Sequence, residues 1–342
     1  MVHVAAPHTI APRRLQAEAA AFAALDLGTN NCRLLIGAPT GDGFRVIDSF
    51  SRIVRLGEGL QNSGMLSEVA MERTMGALHA CASRLGRRPL RGVRAIATEA
   101  CRRAANGPAF LKRVRAETGL AFTVISTREE AELALESCTP LLRGPERRAL
   151  LFDIGGGSTE LAWVRLGPGG APQLIGYESL PVGVVTLAER FGHQGFNPDG
   201  YQAMVDHVHG LLAPFERIHC IEHEFRLGGV KMLGTSGTVT TLAGVALGLE
   251  RYRRPMVDGL VLSAAATDSA LGLLRGLGRE GLDRHPCVGP DRADFVLPGC
   301  AIFEGIRGMW PAREVTVADR GLREGMLLRM MRRRPTFAHY RT

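Results

Sequence analysis

Two rhythms of apolar and polar positions alternate along this chain. The apolar run AFAALDLGTNNCRLLIG (21–37) is interrupted by small polar residues and then resumes, which predicts a β-hairpin. The same layout returns in ALLFDIGGGSTELAWV (149–164), where Asp153 follows Asp26 by 127 residues. Between them, apolar residues recur every three to four positions over 66–85, VRAIATEACRRAAN (93–106) reads as strand, turn and helix, and 123–138 as a strand entering a helix. After the second hairpin the pattern predicts a helix around 199–216, a strand at 229–234, and the turn GTSGTVTTLAG (234–244) entering a helix. Further helices are predicted at 264–276, 297–309 and 322–334. A hairpin repeated at one domain length predicts two related α/β domains, with no solenoid.

The 342 residues exceed what one compact core usually organises, in agreement with two domains. The division predicted is a loosely ordered tail at 1–20, a first domain at 21–134, a second at 135–320, and a C-terminal helix and tail at 321–342 that pack back on the first. Charged residues at 22% and apolar residues at 45% describe a folded protein with no disordered or membrane-embedded character. The net charge of +8 predicts an anionic partner. Only Lys112 and Lys231 are lysines, so nearly every cation is an arginine, the side chain that grips phosphate with a planar fork. A high-GC genome gives the same bias. Seven scattered cysteines with no CxxC pair argue against a disulfide framework or zinc ribbon, and no signal-type run opens the chain, so a cytoplasmic location is expected. The uncharged stretch 232–249 carries too many hydroxyl residues and glycines for a membrane span.

No GxxxxGK[ST] loop occurs, and GGGSTE leads into a strand instead of a helix, so P-loop and dinucleotide chemistry are both excluded. What the chain has instead is two Asp–apolar–Gly hairpins. Their turns, Gly28-Thr29-Asn30-Asn31 and Gly155-Gly156-Gly157-Ser158-Thr159, lack bulk, so consecutive backbone N–H groups can converge on phosphate. The first turn alone reads equally as a plain hairpin, the triple-glycine turn less so. Three successive glycines imply close approach of another group, and Asp26, Asp153 and Glu160 beside the turns suit a hard cation such as Mg²⁺.

The segments LDLGTNN (25–31), RLGEGL (55–60), STREEAEL (126–133), FDIGGGSTEL (152–161), LGTSGT (233–238) and DRGLREG (319–325) resemble the exopolyphosphatase/guanosine pentaphosphate phosphohydrolase family of the actin-like ATPase and sugar kinase superfamily. The resemblance runs from about 21 to 335. It implies two ribonuclease-H-like α/β domains with the active site in the cleft between them, and hydrolytic release of a terminal phosphate. It places the general base at Glu130, which the residues alone read sooner as part of a capping box opened by Thr127. Mg²⁺ is the expected cofactor, with Mn²⁺ or a monovalent cation such as K⁺ as variants, and Asp153, Glu160 and Asp26 as its carboxylates. Arg102 and Arg55 match family arginines that face phosphate, and either equally fits a surface ion pair. Arg103 is expected in solvent. Gly234, Ser236, Gly237 and Thr238 form a second-domain loop at the cleft, where Ser236 and Thr238 also suit a helix cap.

Two departures bear on the substrate: Thr186 stands where the family often has arginine, and the chain stops before the C-terminal helical domain of longer members. The expected substrate is inorganic polyphosphate, with guanosine pentaphosphate as the alternative, and a homodimer is expected. A superfamily kinase or a catalytically silent binding protein shares the hairpins. HCIEH (219–223) also fits an inverted zinc-peptidase motif with His219 and His223 as ligands. Nucleic-acid binding is not expected, since no aromatic residues are interleaved with the arginines.

Overall fold

The structure, a computed structural model, describes residues 21–41, 43–167 and 171–332. The tail expected at 1–20 and the end of the chain beyond 332 lie outside these residues. The first sheet contains β1 (Phe22–Leu27), β2 (Asn31–Thr40), β3 (Gly43–Ile53), β4 (Gly92–Ala97) and β5 (Phe122–Val124), in the order β3-β2-β1-β4-β5. The second contains β6 (Arg148–Ile154), β7 (Thr159–Arg165), β8 (Gln173–Leu180), β9 (Val230–Thr235), β10 (Val261–Ser263) and β11 (Glu314–Ala318), in the order β10-β11-β9-β6-β7-β8. In each sheet the first strand pairs antiparallel with the second and parallel with the fourth. Apart from the edge strand β10, the two sheets therefore share one topology, the ribonuclease-H-like arrangement expected of the actin-like ATPase and sugar kinase superfamily.

The helices that matter below are α1 (Glu68–Leu85), α2 (Glu99–Arg103), α3 (Gly107–Thr118), α4 (Thr127–Cys138), α5 (Val184–Phe191), α6 (Pro198–His219), α7 (Ile221–Leu227), α8 (Gly237–Ala246), α9 (Ala264–Gly276), α10 (Ala293–Met309) and α11 (Leu322–Arg332). Their ends follow local chemistry. Ser67, Ser126 and Ser263 each cap a helix by accepting an N–H three residues on. Gly119 ends α3 in the left-handed region at φ 74°, where a side chain would be strained. Because Ser126 is the cap, α4 begins one residue earlier than the capping-box reading of Thr127 required, and Glu130 is free of capping duty.

Helices α1 and α3 cover one face of the first sheet, around Leu34, Leu78, Phe110 and Val114. The larger second core gathers Phe152, Trp163, Phe215, Phe303 and Trp310. A third apolar cluster lies between the sheets. It joins Ala24, Leu35 and Ile96 of the first to Leu151, Val164 and Leu233 of the second through α4 and α11. The C-terminal helix α11 thus packs on β1 and α4. These two helices hold the facing ends of the hairpins in one place.

Candidate active site

Each hairpin projects its turn from the end of its sheet toward the other. The turns close identically: the Gly28 N–H donates to the Asn31 carbonyl and the Gly155 N–H to the Ser158 carbonyl, both at 2.9 Å. The registers also correspond, with Asp26 opposite Arg33 and Asp153 opposite Glu160. One copy thus pairs its aspartate with a cation and the other with a second carboxylate.

The cleft at these turns has a volume of about 1090 Å³ and gathers most of the residues singled out in the sequence. Asp26, Gly28, Thr29, Asn30, Asn31 and Arg55 line it from the first domain, with Glu130 from α4. Asp153, Gly155, Gly156, Gly157, Ser158, Glu160, Ser236, Gly237 and Thr238 line it from the second. The group that the triple glycine accommodates is the opposite hairpin. A Cβ on Gly156 would sit 3.0 Å from Asn30 Cβ and 3.2 Å from the Asn30 nitrogen. Ser236 holds φ 132°, an uncommon conformation for a residue with a side chain, while its hydroxyl caps α8.

Three of the expected residues do not line the cleft. Thr159 is fully buried and its hydroxyl donates to the Val182 carbonyl at 2.7 Å, so it supports the turn from behind. Gly234 lies in β9 beneath the Phe152 ring, where a side chain would collide, so it serves packing and not the cleft. Arg102 is absent from the cleft wall because its guanidinium is held by Glu99 at 2.6 Å and Glu130 at 3.2 Å. Arg55 does reach the cleft, with its guanidinium 5.3 Å from the Phe295 ring centre of the other domain. Arg103 is 39% exposed and 3.7 Å from Glu99. Thr186 uses its hydroxyl to close the start of α5 on Gly183 and takes no place at the cleft.

The HxxEH reading fails on backbone grounds. Cys220 is left-handed at φ 50° and divides α6 from α7, so His219 and His223 do not sit one turn apart on a single helix. His219 packs instead against Phe215, with ring centres 4.5 Å apart and the rings tilted by 59°.

Several cleft residues had not been singled out: Arg33, Arg52, Arg73, Arg292, Arg320 and Arg323. Arg33 was within reach of the repeat, because it stands 127 residues before Glu160 at the same hairpin position. Arg320 and Arg323 belong to the DRGLREG segment. The others depend on tertiary placement.

The electrostatics centre on four carboxyl groups. Burial raises Asp153 to about 6, with Asp26 adding to the rise and Arg33 opposing it. Burial and then the Asp153 charge raise Glu160 to about 7, against hydroxyls of Ser158 at 2.5 Å and Ser179 at 3.1 Å that favour its ionised form. Glu130 is raised well above the usual carboxylate range, first by burial and then by Glu160, with Arg102 opposing. Burial also raises Asp26 despite Arg33 and Arg323, and its Oδ1 is buried without a hydrogen-bond partner. An oxygen-only donor set with an orphaned carboxylate atom fits a hard divalent cation. Among the described residues no three such side chains converge closely enough to hold one unaided. Mg²⁺ does not require it, since it commonly takes one or two carboxylates and completes its shell with water and phosphate oxygens.

Solved structures with the same architecture cover nearly the whole chain. A crystal structure of an Aquifex aeolicus Ppx/GppA family member is 28% identical, with a TM-score of 0.73 over 91% of this chain and 97% of that one. An exopolyphosphatase from Cytophaga hutchinsonii is 25% identical, with a TM-score of 0.81 over 91% and 97%. An exopolyphosphatase-like protein is 27% identical, with a TM-score of 0.78 over 92% and 98%. The sequence itself matches the Ppx/GppA phosphatase family over residues 36–334, and the chain belongs to that family.

Proposed function

We propose that the protein is a Mg²⁺-dependent exopolyphosphatase that releases the terminal phosphate of inorganic polyphosphate by direct attack of water. The observation that carries the reading is Glu130: a buried carboxylate held by Arg102, lining the same cleft as the two phosphate-type turns and raised by burial above the usual carboxylate range. The water oxygen bonds to the terminal phosphorus, the bridging P–O bond breaks, Glu130 takes the water proton, and the shortened chain leaves with the bridging oxygen. The small turn residues let backbone N–H groups approach the phosphoryl oxygens, while Arg33 and Arg323 offset their charge. Asp153, Glu160 and Asp26 are the residues that would hold Mg²⁺, which when bound would supply charge neutralisation at the phosphates.

A second reading, 5′-phosphohydrolysis of guanosine pentaphosphate, draws support from the far wall. Leu274, Val288, Phe295 and Val296 give the cleft an apolar stretch that suits a nucleoside and is of no use to a phosphate chain. Phosphate release from both substrates, measured with wild type and Glu130→Ala, tests both readings. We expect the variant to lose about 10²–10⁴-fold in kcat while remaining folded. Undiminished release by the variant would sink the mechanism, and a higher wild-type kcat/KM for the nucleotide would promote the second reading.

A further inference from the structure

We propose that Glu99 is a positioning residue for the base: its carboxylate fixes the Arg102 guanidinium, which holds Glu130, so Arg102 serves the base and not the phosphate. This rests on Glu130 acting as base. Nε and Nη2 of Arg102 donate to Glu99 Oε2 at 3.2 and 2.6 Å, while Nη1 donates to Glu130 Oε2 at 3.2 Å and to the Ile125 carbonyl at 2.9 Å. A fork engaged along both edges has no free pair of N–H groups for a bidentate phosphate.

The arrangement is built into the chain. Glu99 and Arg102 are three apart on α2, so their pairing is local and precedes substrate. Ile125 immediately precedes Ser126, the cap of α4, so one guanidinium ties α2 both to the start of the Glu130 helix and to Glu130 itself. Glu99 lies against the phosphate loop, where a Cβ on Gly157 would sit 3.3 Å from its Cγ, so the third loop glycine leaves room for it. At 13% and 21% side-chain exposure, Glu99 and Arg102 are sheltered enough for the pair to be held strongly. Glu160 and Asp26 place like charge near Glu130, which the Arg102 cation opposes.

The test is steady-state phosphate release from polyphosphate by the full chain with saturating MgCl₂, comparing Glu99→Ala, Glu99→Gln, Arg102→Met and the Glu99→Ala/Arg102→Met double variant. Glu99→Ala is expected to lower kcat by about ten- to a hundredfold with KM unchanged, as for a misaligned catalytic group. Glu99→Gln, whose amide oxygen still accepts from Arg102, should fall between it and wild type, and the double variant should be no worse than Arg102→Met alone. A raised KM with kcat kept in Arg102→Met, a lowered KM in Glu99→Ala, or losses that multiply in the double variant would overturn the proposal. Glu130→Gln is measured in parallel. If it retains activity the base reading itself fails, whereas an inactive Glu130→Gln beside an unaffected Glu99→Ala removes only the role of Glu99. Should Glu99→Ala not fold, the near-isosteric Glu99→Gln decides alone, and unchanged kcat in it refutes the proposal.

Discussion

Asp26, Asp153 and Glu160 crowd one cleft with no ion-pair partner within 4 Å among the described residues, and the cost of burying them has a definite sign. Their folded pKa values lie above the unfolded ones, to about 6 for Asp153 and about 7 for Glu160. Protonated, they sit in the fold without penalty, so stability is full at and below the ordinary carboxylate range and is lost as pH rises through 6 and 7. Without divalent cation, the thermal midpoint is therefore expected to fall by several degrees between pH 5 and pH 8. Glu160→Gln should flatten that slope, and MgCl₂ at pH 8 should restore the midpoint. A midpoint that climbs over this range in cation-free buffer would contradict the assignment of buried, raised carboxyls. Activity should run the opposite way: in the proposed mechanism Glu130 works only when ionised, and burial holds its carboxyl above the usual carboxylate range, so kcat should rise with pH.

At the scale of elements, the proposed base Glu130 depends on where α4 sits, and α4 is placed by its crossing with α11. The crossing is close because residue 325 is glycine: a Cβ there would collide with the Leu133 carbonyl on α4. Gly325→Ala must push the helices apart, and we expect about 1–3 kcal/mol of lost stability in urea denaturation together with a lower kcat. Gly272→Ala on α9, where a Cβ meets nothing within 4 Å, should leave stability unchanged or slightly higher. A neutral Gly325→Ala would show that the crossing does not set the position of the base. The same level of organisation explains what the sequence made legible. The two hairpins announced themselves because their central strands are buried on both faces and their turns lack bulk. β3 and β8 did not, since they are half-buried edge strands whose residues follow no clear alternation. Glu130 could be placed by resemblance, but the role of Arg102 could not, because it depends on three segments, Glu99, Ile125 and Glu130, meeting at one guanidinium. Thr159 and Gly234 sit inside phosphate-type motifs and yet face the core, a distinction that motif spacing does not carry.

For the whole molecule the question is where the surplus positive charge acts. Much of the arginine on the outside is neutralised locally: Arg113 meets Glu68, Glu72 and Glu117, Arg329 meets Glu129 and Glu136, and Arg254 meets Asp319 and Glu324. The cleft differs. Arg33, Arg52, Arg55, Arg292 and Arg323 line it, and among the described residues none of them has a carboxylate within 4 Å. Seven arginines and seven acidic side chains line the cleft, so it holds no surplus when all are ionised, and what it offers a polyanion on the way to Glu130 is these five arginines free of ion-pair partners. Such attraction is screened by salt, with a Debye length of about 10 Å at 0.1 M, whereas the buried groups around Glu130 are screened far less. Raising KCl from 50 to 300 mM should therefore increase KM for polyphosphate several-fold while kcat stays within about twofold. Arg292→Ala, which removes one unpaired cleft cation and leaves the ion pairs around Glu130 untouched, should raise KM at low salt and reduce its salt dependence. A KM indifferent to salt would mean that the basic surplus is compositional and that the phosphates are held by the backbone turns alone.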